Sequence, residues 1–317
     1  MSLLVVGSMA YDAIETPFGR TDRILGGAAM YISLSASYFT QPVRVISVVG
    51  YDFEPKDLQM LERHGVDLRG VEQRKDEKSF FWAGRYRSDM NTRDTLRTDL
   101  NVLGSFQPVV PQAYQDAEYL MLGNLTPDIQ RSVIGQLTRR PRLIVMDTMN
   151  FWMDTAREAL METLRLVDVL VINDEEARQL SGEYSLLKAA RSILTMGPAT
   201  LVIKKGEHGA LLFDHDRMFS APGLPLDEVF DPTGAGDTFA GGFIGHLARS
   251  GDLSFAGMRR AVIFGSAMAS LCVEKFGPER LMDLSQAVIQ NRAQQFVQLA
   301  NFDLLSEHLR DVMDQSA

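Results

Sequence analysis

The sequence predicts an α/β fold with a mostly parallel central sheet flanked by helices, and three observations carry that prediction. Short, largely apolar runs recur at Leu3–Val6, Val43–Val49, Tyr119–Leu122, 143–146, 169–172 and 201–203, the pattern of strands buried on both faces. From Ala117 onward such runs alternate with helical segments, as βαβ units require. Residues 71–100 differ, with Phe80, Phe81, Trp82 and Tyr86 set among Arg85, Arg87, Arg93 and Arg97 and no helical stripe. On the residues alone this segment reads equally well as a solvated hairpin packed on its aromatics.

Taken in order, the first strand ends at Gly7, and Asp12 is expected in the loop beyond it, where a lone Asp commonly serves as a turn or cap residue. Gly26-Gly27 forms a turn, and residues 28–39 follow with the spacing of a buried helix, Met30, Leu34 and Tyr38 sharing one stripe. Tyr31 lies on this helix, its ring able to fill the core or to stack on a base. The strand ending at Gly50 precedes a short helix that Pro55 starts and Gly65 ends. Asn124, Asp147 and Asn150 follow strand ends, on the side where ligands collect in parallel sheets. Asn173-Asp-Glu-Glu176 opens a helix, where acidic residues suit the helix dipole. Lys204-Lys205-Gly206-Glu207-His208-Gly209 is a glycine turn fit to surround a phosphate or ribose, although lysines at a strand end are commonly just solvated. An apolar helix is expected over 261–273 and polar amphipathic helices over 283–317.

The chain's most informative stretch is Asp231-Pro-Thr-Gly-Ala-Gly-Asp-Thr-Phe-Ala-Gly-Gly, expected after a strand ending at Val229-Phe230 and running into a helix to about Arg249. A helix start offers N–H groups without intrahelical partners, and Gly234 and Gly236 would let a phosphate approach them. Asp237 binds phosphate poorly but can accept a proton from an attacking hydroxyl, which points to phosphoryl transfer to an alcohol. The competing reading is an ordinary glycine turn whose Asp is stabilised by the helix dipole. Gly241 and Gly242 inside the helix cost about 1 kcal/mol each relative to Ala, which implies close packing against a neighbour.

The Asp231-to-Asp237 run resembles the C-terminal signature of the ribokinase-like (PfkB) family of sugar and nucleoside kinases, with Pro232 where many members have Thr. The resemblance extends from Asp12 to about Gly277. It implies a ribokinase-like fold with a small β-lid drawn from about 12–25 and 71–100, a lid that in some members also makes a homodimer contact. It places the catalytic base on Asp237 and an anion hole on Gly234, Ala235 and Gly236. The substrate would meet Asp12, Gly26 and Gly27. Tyr31 stands where members often carry a sugar-binding Asn, and Tyr31 and Asn124 complete the substrate candidates. ATP is assigned to Asn173, Lys205, Gly206 and Gly209. Asn-x-x-Glu further gives Glu176 a role in holding Mg2+ through water. Asp231 and Thr233, with Val273 and Gly277, match a monovalent-cation site of the kind that takes K+.

Composition narrows the alternatives. The 317 residues carry 32 Lys and Arg against 41 Asp and Glu, a net charge of −9 that argues against nucleic-acid or anionic-membrane partners. The lone Cys272 excludes an internal disulfide and, with no signal peptide apparent, favours a cytoplasmic setting. The opening apolar run is too short to span a membrane. There is no Walker A run, and Phe239 occupies the third glycine position of a dinucleotide fingerprint begun at Gly234. Five scattered histidines suggest no zinc site, and no Gly-x-Ser-x-Gly elbow is present.

The expected protein is thus one ribokinase-like α/β domain over residues 1–317. It would be an ATP- and Mg2+-dependent kinase acting on a hydroxymethyl group of a small nucleoside or sugar, with Tyr31 and the aromatic lid favouring a nucleoside. A catalytically inactive, kinase-like nucleotide or sugar sensor is the alternative.

Overall fold

A computed structural model describes residues 2–301, and in it the apolar runs become the inner strands of one large sheet. β1 (Leu3–Val6) is buried throughout because parallel strands flank it and a hydrophobic core lies on each face. Leu3 and Val5 enter one core, Leu4 and Val6 the other. The chain then leaves this sheet for β2 (Ala10–Thr16) and β3 (Gly19–Gly26) before helix α1 (Ala28–Ser37). It returns through β4 (Val43–Val49), α2 (Pro55–Arg63) and β5 (Val66–Gln73). β6 (Phe80–Tyr86) and β7 (Arg93–Asp99) join β2 and β3 in a separate sheet of order β3-β2-β6-β7. Residues 71–73 therefore belong to the large sheet, and the small one begins at Phe80 in this part of the chain.

The second half alternates as expected: β8 (Tyr119–Leu122), α3 (Pro127–Gly135), β9 (Leu143–Asp147), α4 (Asn150–Thr155), α5 (Arg157–Leu164), β10 (Val169–Asn173), α6 (Asp174–Ser181), α7 (Leu186–Leu194) and β11 (Thr200–Lys204). β12 (Ala210–Phe213) and β13 (Met218–Ala221) complete a nine-stranded sheet of order β13-β12-β11-β10-β9-β8-β1-β4-β5. It is parallel from β5 to β11 and antiparallel at β12 and β13.

Helices α8 (Ala235–Ser250), α9 (Phe255–Cys272) and α10 (Gln286–Ala300) follow. Glycines let α8 approach its neighbours at backbone distance. A Cβ on Gly241 would lie 2.3 Å from the Ile32 carbonyl oxygen of α1, and one on Gly242 would lie 3.1 Å from the Gly265 Cα of α9. The helical glycines thus exchange propensity for packing.

Two sequence expectations are corrected, and a third is met over the residues described. Asp12 is not in a loop: it lies within β2, because the chain re-enters extended structure at Ala10 to build the small sheet. No strand ends at Val229-Phe230. β13 stops at Ala221, and Pro222, Pro225 and Pro232 interrupt the segment that leads from it to α8, where the N–H groups of Phe230 and Asp231 bond to the Val273 carbonyl. Of the helices expected over 283–317, α10 accounts for residues 286–300; the remainder, from 302, lies outside the described residues.

Candidate active site

The carboxyl ends of the parallel strands meet along one edge, and three of them finish on polar residues: Asp147 on β9, Asn173 on β10 and Lys204 on β11. Asn173 pairs in register with Lys204, and Asp147 pairs with Val171 two residues back on β10. Lys204 turns inward, its Nζ 3.4 Å from the Asp147 carboxylate. A Cβ on Gly236 would sit 3.0 Å from the same Nζ, so this lysine lies against the first turn of α8.

That turn is shaped by Gly234, whose φ of 75° no L side chain adopts readily; a Cβ there would also strike the Tyr31 ring at 2.3 Å. The Ala235 N–H donates to the Pro232 carbonyl at 3.2 Å, whereas the N–H groups of Gly236 and Asp237 have no acceptor among the described residues. They are the donors left for an anion. The anion-hole set expected from the sequence is therefore divided, with Ala235 holding the turn closed.

The charges at this edge act on one another. Burial, and then the nearby charge of Asp147, push Asp237 up to about 7, against the pull of Lys204 and Arg93. Glu176 rises to about 7 for the same first two reasons. Burial also raises Asp147, opposed by Lys204. Burial disfavours the Lys204 ammonium, but Asp147, Glu176 and Asp237 outweigh it and its pKa moves up. Asn173 and Glu176 form a reciprocal cap on α6: each backbone N–H donates to the other's side chain at 2.7 Å. This fixes the Glu176 carboxylate beside Lys204 and Asp147.

Asp12, Tyr31, Asp231 and Asp237 form the neighbouring wall. Asp12 is buried, and burial followed by the charges of Asp231 and Asp237 raises it to about 8. Its Oδ2 occupies the space a Cβ on Gly26 would need, 2.0 Å away. Gly27 adopts a φ of 94° and caps α1, packed on the backbone of Ser8 and Met9. Tyr31 is 1% exposed, and its hydroxyl has no hydrogen-bond partner among the described residues. Burial first, then Cys272, Asp231, Asp12 and Asp237, hold that hydroxyl protonated.

The other residues singled out in the sequence are more distributed. Asp231 accepts the N–H of Thr233 and that of Gly277, each at 2.8 Å, while Val273 receives the N–H groups of Phe230 and Asp231. The four residues of the expected monovalent-cation site thus meet in one network, of N–H groups on the Asp231 carboxylate and on the Val273 carbonyl. Asn124 accepts from the Trp152 indole at 2.8 Å and donates to the Met149 sulfur at 3.0 Å, engaging both ends of its amide. Lys205 is half-buried, and its N–H closes the glycine turn on the Gly209 carbonyl at 2.8 Å.

The small sheet reaches this region twice. The Thr233 hydroxyl donates to the Tyr86 hydroxyl at 3.2 Å, and the space a Cβ on Gly206 would take is filled by Asn91 Oδ1, 2.5 Å away. Sequence reasoning gave Lys204 only a place at the start of the glycine turn, Tyr86 and Arg93 only a place in the lid segment, and Asp147 only a place beyond a strand end. For Lys204 the available signal was its position as the last residue of an apolar strand.

A lysine and several carboxylates at the carboxyl edge of a parallel sheet, facing a helix N-terminus and a glycine turn, define a phosphotransferase that uses an alcohol acceptor. The family model for pfkB family carbohydrate kinases matches residues 1–283, and the chain belongs to that family. It is 29% identical over 252 residues to a cytidine kinase of Thermococcus kodakarensis, covering 78% of this chain and 89% of that one. It is 26% identical to a nucleoside kinase of Methanothermobacter thermautotrophicus, covering 92% and 96%. Among solved structures, an Escherichia coli protein assigned as a ribokinase II, in complex with ATP and Mg2+, superposes with a TM-score of 0.75 at 20% identity, covering 94% and 99%. Among the described residues no helix is long and apolar enough to cross a membrane.

Proposed function

We propose that the protein is an ATP-dependent nucleoside kinase that phosphorylates a hydroxymethyl group of its acceptor, with Asp237 as the base. The observation that carries this reading is Asp237 itself, poised in the first turn of α8 beside unpartnered backbone donors, with its proton affinity raised to about 7. The unperturbed value for Asp is about 3.9, so burial has made it a stronger base at neutral pH. In the step proposed, the acceptor's hydroxyl oxygen bonds to the γ-phosphorus as the bond from that phosphorus to ADP breaks. The electron pair stays on ADP, and the hydroxyl proton passes to Asp237. An alcohol is far less acidic than this carboxyl, so the proton moves late, in a loose transition state.

The donor set fits a nucleotide triphosphate. The Gly236 and Asp237 N–H groups and Lys204 face the phosphate position, and the turn over 205–209, closed by its own backbone bonds, suits the remainder of ATP. Among the described residues no three acidic, His or Cys side chains converge to hold a metal ion by themselves. In this reading Mg2+ arrives on ATP, and Glu176 and Asp147 would meet its water shell. The metal would supply charge neutralisation to the phosphates.

A nucleoside rather than a free sugar is favoured by the cytidine and nucleoside kinases among the relatives. Asp12, beside Gly26, would receive acceptor hydroxyls in this reading. The test is ATP consumption with Mg2+ across a panel of nucleosides and sugars, with Asp237→Asn in parallel. Turnover should appear with a nucleoside and fall by about 10³-fold or more in the variant. Near-normal turnover in Asp237→Asn, or turnover with sugars alone, refutes the corresponding half of the assignment.

A further inference from the structure

The ladder between β8 and β9 runs as far as Leu122 and Met146. One residue further on, where the sheet gives way to the site, a side chain from α3 takes over the pairing. Gln130 is fully buried, and its Nε2 donates to the Gly123 carbonyl at 2.9 Å and to the Asp147 carbonyl at 3.0 Å. Its Oε1 has no hydrogen-bond partner among the described residues. A buried acceptor left unmet is unfavourable, and an apolar side chain of the same length would avoid it on a helix face otherwise buried through Pro127, Ile129 and Val133. What the amide adds is the grip of its nitrogen on two strand ends.

Asp147 is one of the two residues gripped, and the one that reaches the site. Its carboxylate accepts the Thr148 N–H at 2.7 Å and stands 3.4 Å from the Lys204 Nζ. The other two acids of this cluster have fastenings of their own: Glu176 through its reciprocal cap with Asn173, and Asp237 through the first turn of α8. Asp147 lies past the last rung that β9 shares with β8, and Gln130 supplies the rung missing there. A main chain free to turn at this point would carry the carboxylate with it. Because the amide is neutral, it fixes that carboxylate without altering the balance among Asp147, Glu176, Asp237, Lys204 and Arg93.

We propose that Gln130 is a positioning residue for phosphoryl transfer: by clamping the ends of β8 and β9 it holds the Asp147 carboxylate against Lys204, and so keeps that lysine at the first turn of α8. It touches neither nucleotide nor acceptor and acts only through Asp147. The inference rests on the kinase reading and adds to it a buried residue, outside the crevice, on which the placing of the site's charges depends.

The experiment compares Gln130→Met, Gln130→Glu and the helix control Val133→Ala with the wild type, and places Gln130→Met also in an Asp147→Asn background. It measures Tm, binding of Mg-ADP, and kcat and kcat/KM across pH with an accepted nucleoside. Gln130→Met keeps the volume and loses the donor; it should lower kcat by about tenfold and change Mg-ADP binding less than about twofold. With Asp147 released, Lys204 is freer to favour the Asp237 anion, so the acid limb should move down by about half a pH unit or more. Gln130→Glu, which when protonated still donates one hydrogen bond, should fall between the two, and it carries the comparison where Gln130→Met does not fold. Val133→Ala should lower Tm while leaving kcat and the limb as in the wild type. In the Asp147→Asn background, Gln130→Met should change kcat by less than about twofold, because the carboxylate it positions is gone. A loss of equal size in both backgrounds, an acid limb that stays put or moves equally in Val133→Ala, or an unchanged kcat overturns the proposal. Wild-type protein that turns over no nucleoside or sugar overturns the kinase reading and, with it, this role for Gln130.

Discussion

The site lies between two regions built on opposite principles. On one side α1, α8 and α9 pack at backbone contact: all ten residues of α1 are buried, and Gly241, Gly242 and Gly245 leave no room for a methyl group. On the other side the small sheet is dressed with exposed arginine–carboxylate pairs, of the kind worth about 0–1 kcal/mol each. It joins the main core through Tyr11 and Leu25 and adds polar contacts, such as the Tyr11 hydroxyl on Asp57, Arg23 on the Asp52 carbonyl, and Tyr86 with Thr233. The contrast teaches where precision is needed. Amides that are to hold an anion must be fixed in advance, whereas a region dressed with exposed ion pairs can shift at little cost.

This contrast can be broken most directly by adding one methyl group to each region. Gly241→Ala would drive a Cβ into the Ile32 carbonyl, a backbone atom that cannot step aside, and should cost about 2–4 kcal/mol in urea unfolding. Gly84→Ala on β6 meets only the ring end of Trp82, which can turn, so it should cost under about 1 kcal/mol. Equal costs would erase the distinction between the two regions.

A pH profile sharpens the same point on the fixed side. Asp237 works as a base only when ionised, so kcat/KM for the acceptor should fall about tenfold per pH unit below about 7 and level off above it. The limb belongs to the coupled Asp147, Glu176 and Asp237 group. For stability the sign is opposite: the folded state holds this proton more tightly than the unfolded chain does, so the contribution falls as pH rises from about 4 to 7. A profile flat from pH 5.5 to 8.5 would show that no raised carboxylate governs turnover.

The smallest effect is expected where the regions touch. Tyr86→Phe removes one hydroxyl contact with Thr233 and leaves the ring, so it should raise the acceptor KM by about two- to tenfold with kcat nearly unchanged. A large loss of kcat with no change in KM would place Tyr86 in the chemistry instead.

Much of the scaffold was legible in the residues alone, because strands buried on both faces are written as apolar runs and a glycine turn ahead of an apolar stretch marks a helix start. The close packing inferred from Gly241 and Gly242 is present for the stated reason. What could not be read depends on register and on distant pairing. Lys204 and Lys205 are neighbours in sequence, yet strand direction sends the first into the acidic cluster and leaves the second half-buried in the turn. Asp12 was misplaced because the mixed polarity of 10–16 reads as a loop when the sheet it joins is completed some seventy residues later.

One long-range bond at the site bears on how the protein is made. Asp231 holds the signature turn through an N–H of Gly277, a residue 46 positions later. A chain emerging from the ribosome can assemble its strands in sequence, but that turn lacks this fastening until α9 and the loop beyond it have been synthesised. A chain that stops short of Gly277 is without that bond, so the turn is fastened late in synthesis.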